Sequence, residues 1–394
     1  MKHLGDITKI HGDQIEPVDC ITFGSPCQDL SIAGRRAGLA GERSGLFMEA
    51  VRIIKEMRSS TNGLHPTFAI WENVPGAFSS NGGEDFRAVL EELARIEQPD
   101  VSIPRPSGRG GRWSKAGAIS GDGWSLAWRQ LDSQYFGVAQ RRKRIALIID
   151  LGGQRAGEVL FERTSLSRHP DPCIPTWQEV TGAAGSRIAG NDRPVPVLND
   201  QGGGVMDASY NIIGTLRAAE HGHQPIVFES NAQPVVLESN QVHATATQTG
   251  ICPTLSASMG MGGGYIPMVT NKAEKTIHWI VRRLTPVECE RLQGYPDGWT
   301  DIGEWVDSKG KKHKYADSPR YKALGNSIAL PQWFWIAQKM KPYLRPNATL
   351  GSLFDGIGGF PLVWQKTYGN GTARWASEID EFPIAVTKRR FGEE

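Results

Sequence analysis

The sequence holds only five cysteines in 394 residues, and no two of them (Cys20, Cys27, Cys173, Cys252, Cys289) fall at CxxC spacing. That argues against a zinc site or a disulfide framework and for a reduced compartment with free thiols. The sequence also lacks an apolar run long enough to cross a bilayer and a charged-then-apolar signal pattern, so a cytoplasmic protein with no membrane partner is expected. Neither sign of charge is in excess. The 44 basic and 42 acidic residues leave a net of +2, which argues against a polycation that holds nucleic acid by bulk charge. With 39% hydrophobic and 22% charged residues the chain can bury a sizeable core, and its length suggests two domains.

The balance hides local bias. Residues 101–145 carry nine basic residues (Arg105, Arg109, Arg112, Lys115, Arg129, Arg141, Arg142, Lys143, Arg144) against Asp122 and Asp132, and a second run, KGKKHK, occupies residues 309–314. Each run alone reads as a solvated face; together they point to an anionic polymer as partner. Residues 164–271 have another texture, rich in Gly, Pro, Asn and Gln, with short apolar runs such as PIVFE and PVVLE that read as short strands between turns. On either side, strands alternate with helices. Residues 19–23, 68–71 and 145–149 read as buried strands, and Ser44 could cap a helix carrying Phe47, Val51, Ile54 and Met57 on one stripe. The pattern predicts an α/β domain in two pieces around a smaller β-rich domain.

Near the end, an apolar strand (residues 350–354) runs into a glycine-rich turn (Gly356, Gly358, Gly359) and a helix from about Phe360. A second strand at residues 373–377 ends at Glu378, twenty residues beyond Gly358, before a helix that Asp380 could cap. This is the opening βαβ of a nucleotide-type fold: glycines admit a ligand at a helix N-terminus, and the acid can hold ribose hydroxyls. The spacing is GxGG rather than GxGxxG, which suits a nucleoside-bearing ligand without pyrophosphate, such as S-adenosylmethionine, better than a dinucleotide.

Cys27 stands in GSPCQDLSIAG directly after the strand at residues 19–23, whereas Cys20, Cys173, Cys252 and Cys289 read as small buried hydrophobes. FAIWENV puts Glu72 and Asn73 at another strand end, where a carboxylate is costly unless paired or functional. QRRKRI enters a further strand, with Arg142 and Arg144 on one face. A nucleophile, an acid and two cations thus converge at neighbouring strand ends.

These segments resemble the ordered motifs of the cytosine-5 DNA methyltransferase family. SPCQ resembles the nucleophile loop, ENV the glutamate motif and QRRKRI the arginine motif. RRLTPVECERLQGYPDGW and ALGNSIALP resemble two late motifs, LFDGIGG the cofactor turn and GDI (residues 5–7) the adenine-binding segment. In the family the cofactor turn comes first, and here it comes last. Joining Glu394 to Met1 would restore the family order, so the chain looks circularly permuted, with residues 341–349 as the connector.

The resemblance implies a circularly permuted, Rossmann-like doubly wound mixed sheet. Residues 1–163 would carry the first part of the catalytic domain, 164–271 a target-recognition domain, 272–345 the late motifs and 346–394 the cofactor-binding βαβ. It implies transfer of a methyl group from S-adenosyl-L-methionine, leaving S-adenosyl-L-homocysteine, to carbon 5 of a flipped-out cytosine in a specific double-stranded DNA sequence, through a covalent Cys27 adduct. Protonated Glu72 would meet ring nitrogen 3, Arg144 the carbonyl oxygen, and Arg142 would position Cys27 or the adjacent backbone. For the cofactor it implies Phe354, Gly356 and Gly358 at the turn, Glu378 at the ribose, Ile379 beside the adenine and Asp6 and Ile7 at its edge. Pro26 and Leu46 would line the pocket, and Asn326 and Ser327 would meet the amino-acid end. A monomer without a metal is expected, prokaryotic or phage-encoded, with a separate restriction endonuclease as a conceivable partner.

The competing readings are an RNA cytosine-5 methyltransferase and a DNA-binding module that has lost catalysis. A cysteine hydrolase is weaker, since no histidine lies in a motif that would set it beside Cys27. The glycines at residues 260–264 read as a flexible turn, His221 and His223 lack partners for a metal, and Trp333 and Trp335 read as core.

Overall fold

The computed structural model describes residues 1–25, 45–106, 112–161 and 284–392, together with the backbone of six strands between residues 196 and 283. The first six strands are β1 (Lys2–His3), β2 (Cys20–Phe23), β3 (Phe68–Asn73), β4 (Ala116–Ser120), β5 (Ser125–Asp132) and β6 (Lys143–Asp150). The middle of the chain supplies β7 (Pro196–Asp200), β8 (Met206–Tyr210), β9 (Ile226–Glu229), β10 (Leu237–Ser239), β11 (Ala244–Ala246) and β12 (Ile280–Arg283). A small hairpin, β13 (Trp305–Val306) and β14 (Lys312–His313), follows, and the chain ends with β15 (Leu350–Leu353), β16 (Ala373–Ser377) and the helix Glu381–Phe391.

Eight strands form one sheet in the order β1-β16-β15-β2-β3-β6-β5-β4. The first five are mutually parallel and the last three run antiparallel to their neighbours. The two C-terminal strands therefore lie inside the sheet, between β1 and β2. Because side chains alternate along a strand, each strand feeds two cores. Cys20, Phe68 and Ile70 pack on one face with Trp333, Trp364 and Leu292, while Ile21, Phe23, Ala69 and Trp71 pack on the other with Phe47, Ile54 and Phe86. Helices Gly45–Ser60 and Glu84–Ala94 cover the second face, and helices Pro286–Gln293, Leu330–Met340 and Gly359–Tyr368 the first. The expected doubly wound mixed sheet is present, with Phe47, Val51, Ile54 and Met57 buried as the stripe requires. Ser44 lies outside the described residues. Cys20 and Cys289 are buried thiols whose pKa burial pushes up, which makes them packing atoms rather than nucleophiles.

Local chemistry fixes the late helices. Thr285 and Glu288 make a reciprocal capping box at the start of Pro286–Gln293, and Gly294 closes its end with a left-handed conformation. Inside this helix, fully buried Glu290 accepts bonds from the Gly298 and Thr300 amides (2.7 and 2.8 Å) and meets Arg320 at 3.4 Å. A charge can sit there because it is neutralised and its lone pairs are filled.

The segment before β15 is anchored as well. Buried Asp19, just ahead of β2, accepts from the Thr349 amide (2.6 Å) and hydroxyl (2.9 Å) and from Arg345 (2.9 Å). The Asp19 carboxylate thus ties the connector expected at residues 341–349 to the sheet, beside the Thr349 carbonyl, which accepts from the Asp19 and Cys20 amides.

Among the described residues, the middle of the chain forms a four-stranded antiparallel sheet in the order β12-β9-β7-β8 and a β10–β11 pair. PIVFE and PVVLE coincide with β9 and the start of β10. Strand β12 belongs to this sheet, so the smaller sheet reaches past residue 271, where the sequence places its end. Arg282 and Arg283, which open the late motif RRLTPVECERLQGYPDGW, lie in β12, whose backbone pairs with β9.

Candidate active site

The parallel strands β1, β16, β15, β2 and β3 all point their C-terminal ends the same way, and open α/β sheets bind ligands at that edge. Glu72 lies at the C-terminal end of β3, Phe354 and the glycine-rich turn follow β15, and Glu378 and Ile379 follow β16, so these candidates stand at that edge.

On the β2–β3 side, Glu72 is the next-to-last residue of β3 and Arg144 the second of antiparallel β6. Arg144 Nε is 2.8 Å from Glu72 Oε1, with both side chains only 13–14% exposed. Pairing lets this carboxylate sit half-buried. Glu72 Oε2 lies against Gly24, where an added Cβ would come within 3.0 Å of it, so a side chain at position 24 would crowd the carboxylate. Ser25, the last described residue before the SPCQ loop, is gripped twice: Trp71 Nε1 donates to its hydroxyl (3.1 Å) and Asn73 Nδ2 to its carbonyl (3.0 Å). Pro26 and Cys27 lie outside the described residues, as do Arg109, Cys173, Cys252, His221, His223 and residues 260–264.

Arg142 is buried and points into the protein. Its amide donates to Asp132 Oδ1 (3.0 Å), and its guanidinium donates to the carbonyls of Gly325 (3.0 Å) and Ser327. Burial, with the neighbouring charge of Arg144, pushes its pKa well down. It links the arginine motif to the loop after helix Asp317–Asn326, which carries the amino-acid-end candidates. Asn326 there is exposed, and Ser327 is buried with its hydroxyl 2.5 Å from that of Tyr295.

The β15–β16 side holds the glycine-rich turn. Phe354 has φ +56°, a left-handed conformation that is uncommon outside glycine, and Gly356 (+58°) and Gly358 (+80°) follow it. A Cβ on Gly356 would meet none of the described residues within 4 Å, whereas one on Gly359 would strike the Tyr295 hydroxyl at 2.5 Å. Glu378 accepts from the amides of Gly356 (2.7 Å), Ile379 (2.7 Å) and Asp380 (3.0 Å). Three of roughly four acceptor positions of a carboxylate are then filled, which orients it and leaves capacity for a hydroxyl donor. Ile379 beside it is 70% exposed, an apolar surface next to an acid that could receive a ribose. Asp380 starts helix Glu381–Phe391 without a side-chain cap bond.

Asp6 caps the short helix Ile7–Lys9, its carboxylate accepting from the Thr8 amide and hydroxyl, which lower its pKa. Ile7 turns its side chain into the core, so this segment offers a ligand backbone and the Asp6 carboxylate rather than an Ile7 side chain. Leu46, in the first turn of helix Gly45–Ser60, packs half-buried against the core.

Asp355 was not singled out from the sequence. It is 6% exposed, Oδ1 accepts from Ser352 (2.6 Å), and buried Oδ2 has no partner among the described residues. Burial, reinforced by the charge of Glu378 and opposed by the Ser352 bond, pushes its pKa up to about 8. An acid inside a glycine-rich turn was the available signal; Tyr295, far away in sequence, gave none. The glycine-rich turn, the oriented Glu378, exposed Ile379 and an acid whose Oδ2 meets no donor among the described residues fit a nucleoside with a cationic amino-acid tail.

The basic runs are partly spent on structure. Arg105 pairs with Glu84 (3.0 Å), Arg144 with Glu72 (2.8 Å), and Arg142 donates to the Gly325 carbonyl (3.0 Å). In the run at residues 309–314, Asp307 accepts from the amides of Lys309 and Lys311 and from His313, shaping the β13–β14 hairpin. Trp333 and Trp335 are core residues, as expected. Among the described residues, no helix is long and apolar enough to cross a membrane.

Comparison with known proteins brings these motifs under one description. The chain is 30% identical to a DNA N-6-adenine-methyltransferase of Escherichia phage P1 over 86% of its own length and 55% of that protein, so it spans about half of this relative. It is 26% identical to the type II methyltransferase M1.ScrFI of Lactococcus lactis subsp. cremoris, covering 87% of this chain and 67% of that one. With the type II methyltransferase M.Bsp6I of Bacillus sp. (strain RFL6) it shares 24% identity over 86% and 83%. A family model described as C-5 cytosine-specific DNA methylase matches residues 1–97 and 116–342, a span that takes in Glu72, Arg142, Arg144, Asn326 and Ser327. The chain belongs to the C-5 cytosine-specific DNA methylase family.

Proposed function

We propose that this chain transfers a methyl group from S-adenosylmethionine to carbon 5 of cytosine in a specific duplex DNA sequence. The observation that carries the reading is the Glu72–Arg144 pair, 2.8 Å apart at the strand ends beside the loop that leads to Cys27, in a chain of this family. Bound S-adenosylmethionine supplies an electrophilic methyl group; the chain's own residues must make carbon 5 a nucleophile.

In this reading the Cys27 thiolate adds to ring carbon 6, and the displaced electron pair gives carbon 5 the nucleophilicity to take the methyl group. Glu72 donates a hydrogen bond to ring nitrogen 3, and Arg144 holds the carbonyl oxygen, so that negative charge pushed into the ring meets donors already in place. A base then takes the proton from carbon 5, the electron pair re-forms the ring double bond, and the Cys27 sulfur leaves. Trp71 and Asn73 fix the start of the loop through Ser25. Glu378 orders the turn and receives the ribose, Ile379 lies under the adenine with Asp6 at its edge, and Ser327 with exposed Asn326 meets the amino-acid end. Because carbon 5 is stacked inside a duplex, the cytosine has to be flipped out, and the smaller β-rich sheet supplies groove recognition.

We also read the motif order as a circular permutation. Support comes from the position of β15 and β16 between β1 and β2, and from the family match stopping at residue 342, ahead of the glycine-rich turn. A monomer is expected, and a separate restriction endonuclease is a partner to test for.

The phage P1 relative's name gives adenine N6 as its methyl acceptor, which supplies a second reading for the product base. Duplexes carrying 5-fluorocytosine separate the two, since fluorine cannot leave carbon 5 as a proton does. With S-adenosylmethionine present they should trap the chain covalently through Cys27, and Cys27→Ser should form no adduct. Absence of adduct together with N6-methyladenine in ordinary DNA would overturn the cytosine reading.

A further inference from the structure

The β13–β14 hairpin sets cations on a fixed frame. Residues 304–315 hold Lys309, Lys311, Lys312 and Lys314 against Glu304 and Asp307. The four lysines are exposed, whereas the Asp307 side chain is only 11% exposed and faces the loop it organises. Asp307 accepts from the amides of Lys309 (3.0 Å) and Lys311 (2.9 Å) and meets His313 Nε2 at 2.9 Å. His313 in turn stacks on Trp305, with ring centres 4.1 Å apart. The acid is spent on shaping the hairpin, and the cations face solvent.

The hairpin is also tied to the body of the protein. Trp305 packs edge-on against Phe382 (5.7 Å), and Ser308 donates its amide (2.9 Å) and its hydroxyl to Glu381. Glu381 and Phe382 lie in the first turn of helix Glu381–Phe391, just beyond the C-terminal end of β16. The lysines therefore stand at the same edge of the sheet as Glu378 and the Glu72–Arg144 pair. Two acids nearby are engaged elsewhere: Asp380 lies 3.7 Å from Lys322 and Asp317 3.1 Å from Arg320. Strand β16 is three strands away from β3, about 14 Å across the sheet, so the hairpin lies to one side of the Glu72–Arg144 pair.

We propose that the β13–β14 hairpin is a second contact point for duplex DNA, gripping phosphates to one side of the methylated base through Lys309, Lys311, Lys312 and Lys314. This deepens the proposed function and rests on it. A duplex laid along the edge carries phosphates about every 3.4 Å on each strand, so the contact falls about four base pairs or more from the base at Glu72. Such contacts add affinity and fix orientation without reading sequence. An acidic protein would meet the same charges, but the hairpin shares its edge with the site where the duplex has to lie, which favours DNA.

The test is fluorescence-anisotropy binding of two unrelated, labelled duplexes to the full chain between about 50 and 200 mM salt. Replacing all four lysines by glutamine should reduce the slope of log affinity against log salt by about 2–4 and weaken binding about 10- to 100-fold, equally for both duplexes. Arginine at all four positions should hold affinity within about threefold, since the phosphate contacts survive. Lys312→Gln with Lys314→Gln should reduce the slope by about 1–2. Lys55→Gln with Lys341→Gln removes the same charge from exposed positions on the covering helices and should move the slope by less than about 0.5. Thermal melting and S-adenosylhomocysteine binding check that each variant is folded. A four-glutamine variant with a slope within about 0.5 of wild type would overturn the inference and leave the lysines to an acidic protein surface. Equal effects of the two paired variants would overturn it as well, and either result leaves the methyltransferase reading standing. If wild type binds S-adenosylhomocysteine but no duplex, the reading of DNA as substrate fails and the inference falls with it.

Discussion

Arg144 and Glu72, which would grip separate atoms of a cytosine ring, grip each other at 2.8 Å. Base and pair compete for the same donors and acceptors, so an entering ring takes over contacts that are already oriented. Glu72→Gln keeps the shape and removes the acid. It should lower single-turnover methyl transfer by about 10²- to 10⁴-fold, the usual worth of a positioned acid, with S-adenosylhomocysteine affinity changed less than twofold. Transfer within tenfold of wild type would remove Glu72 from the chemistry.

Arg142 is buried and points into the protein. Its guanidinium fork reaches two carbonyls of the loop that carries Asn326 and Ser327. Arg142→Lys replaces a planar fork with a single-point donor and leaves buried carbonyl groups poorly matched. Urea unfolding should register a loss of about 1–3 kcal/mol, and KM for S-adenosylmethionine should rise more than kcat falls. A variant with wild-type stability and KM but lower kcat would instead place Arg142 at the base.

Much of this was legible in the sequence. The strand at residues 373–377 has the bounds expected from its run between glycines and Glu378, and the stripe from Phe47 to Met57 gave both a helix and its buried face. Those signals are local. The Tyr295–Ser327–Asp355 group is not: its members come from three separate elements and share no spacing, so only the acid inside the turn could have hinted at it. Strands β4 and β5 went unread because basic residues at 101–145 suggested a phosphate surface. In the fold, Trp124 and Trp128 are buried, and Arg105 and Arg144 form ion pairs.

Asp355 gives a pH dependence with a definite sign. Its carboxyl titrates near pH 4 in an unfolded chain and is raised to about 8 in the folded one. Between these values the folded chain holds a proton that the unfolded chain has released, so stability from this group is complete below about pH 4 and is lost as pH rises through 8. Asp355→Asn, which does not ionise, should flatten that slope. Melting temperatures at pH 5.5 and 8.5 should converge in the variant relative to wild type; an unchanged slope would contradict the assignment.

Asp19 holds residues 345 and 349 to the start of β2, and with them the connector that delivers β15 into the sheet. Asp19→Ala leaves the Thr349 amide and hydroxyl without this acceptor. A loss of about 2–4 kcal/mol in urea unfolding is expected, without a change in the product base. A loss below about 0.5 kcal/mol would mean that the connector needs no such anchor.

The central claim is the reaction itself, and its most direct measurement is transfer of a labelled methyl group from S-adenosylmethionine to mixed-sequence duplex DNA and, separately, to transfer RNA, with the labelled base identified after digestion. The account predicts label in 5-methylcytosine from duplex DNA, absent with Cys27→Ser. Label in N6-methyladenine, label in RNA alone, or cofactor and DNA binding with no transfer would contradict it.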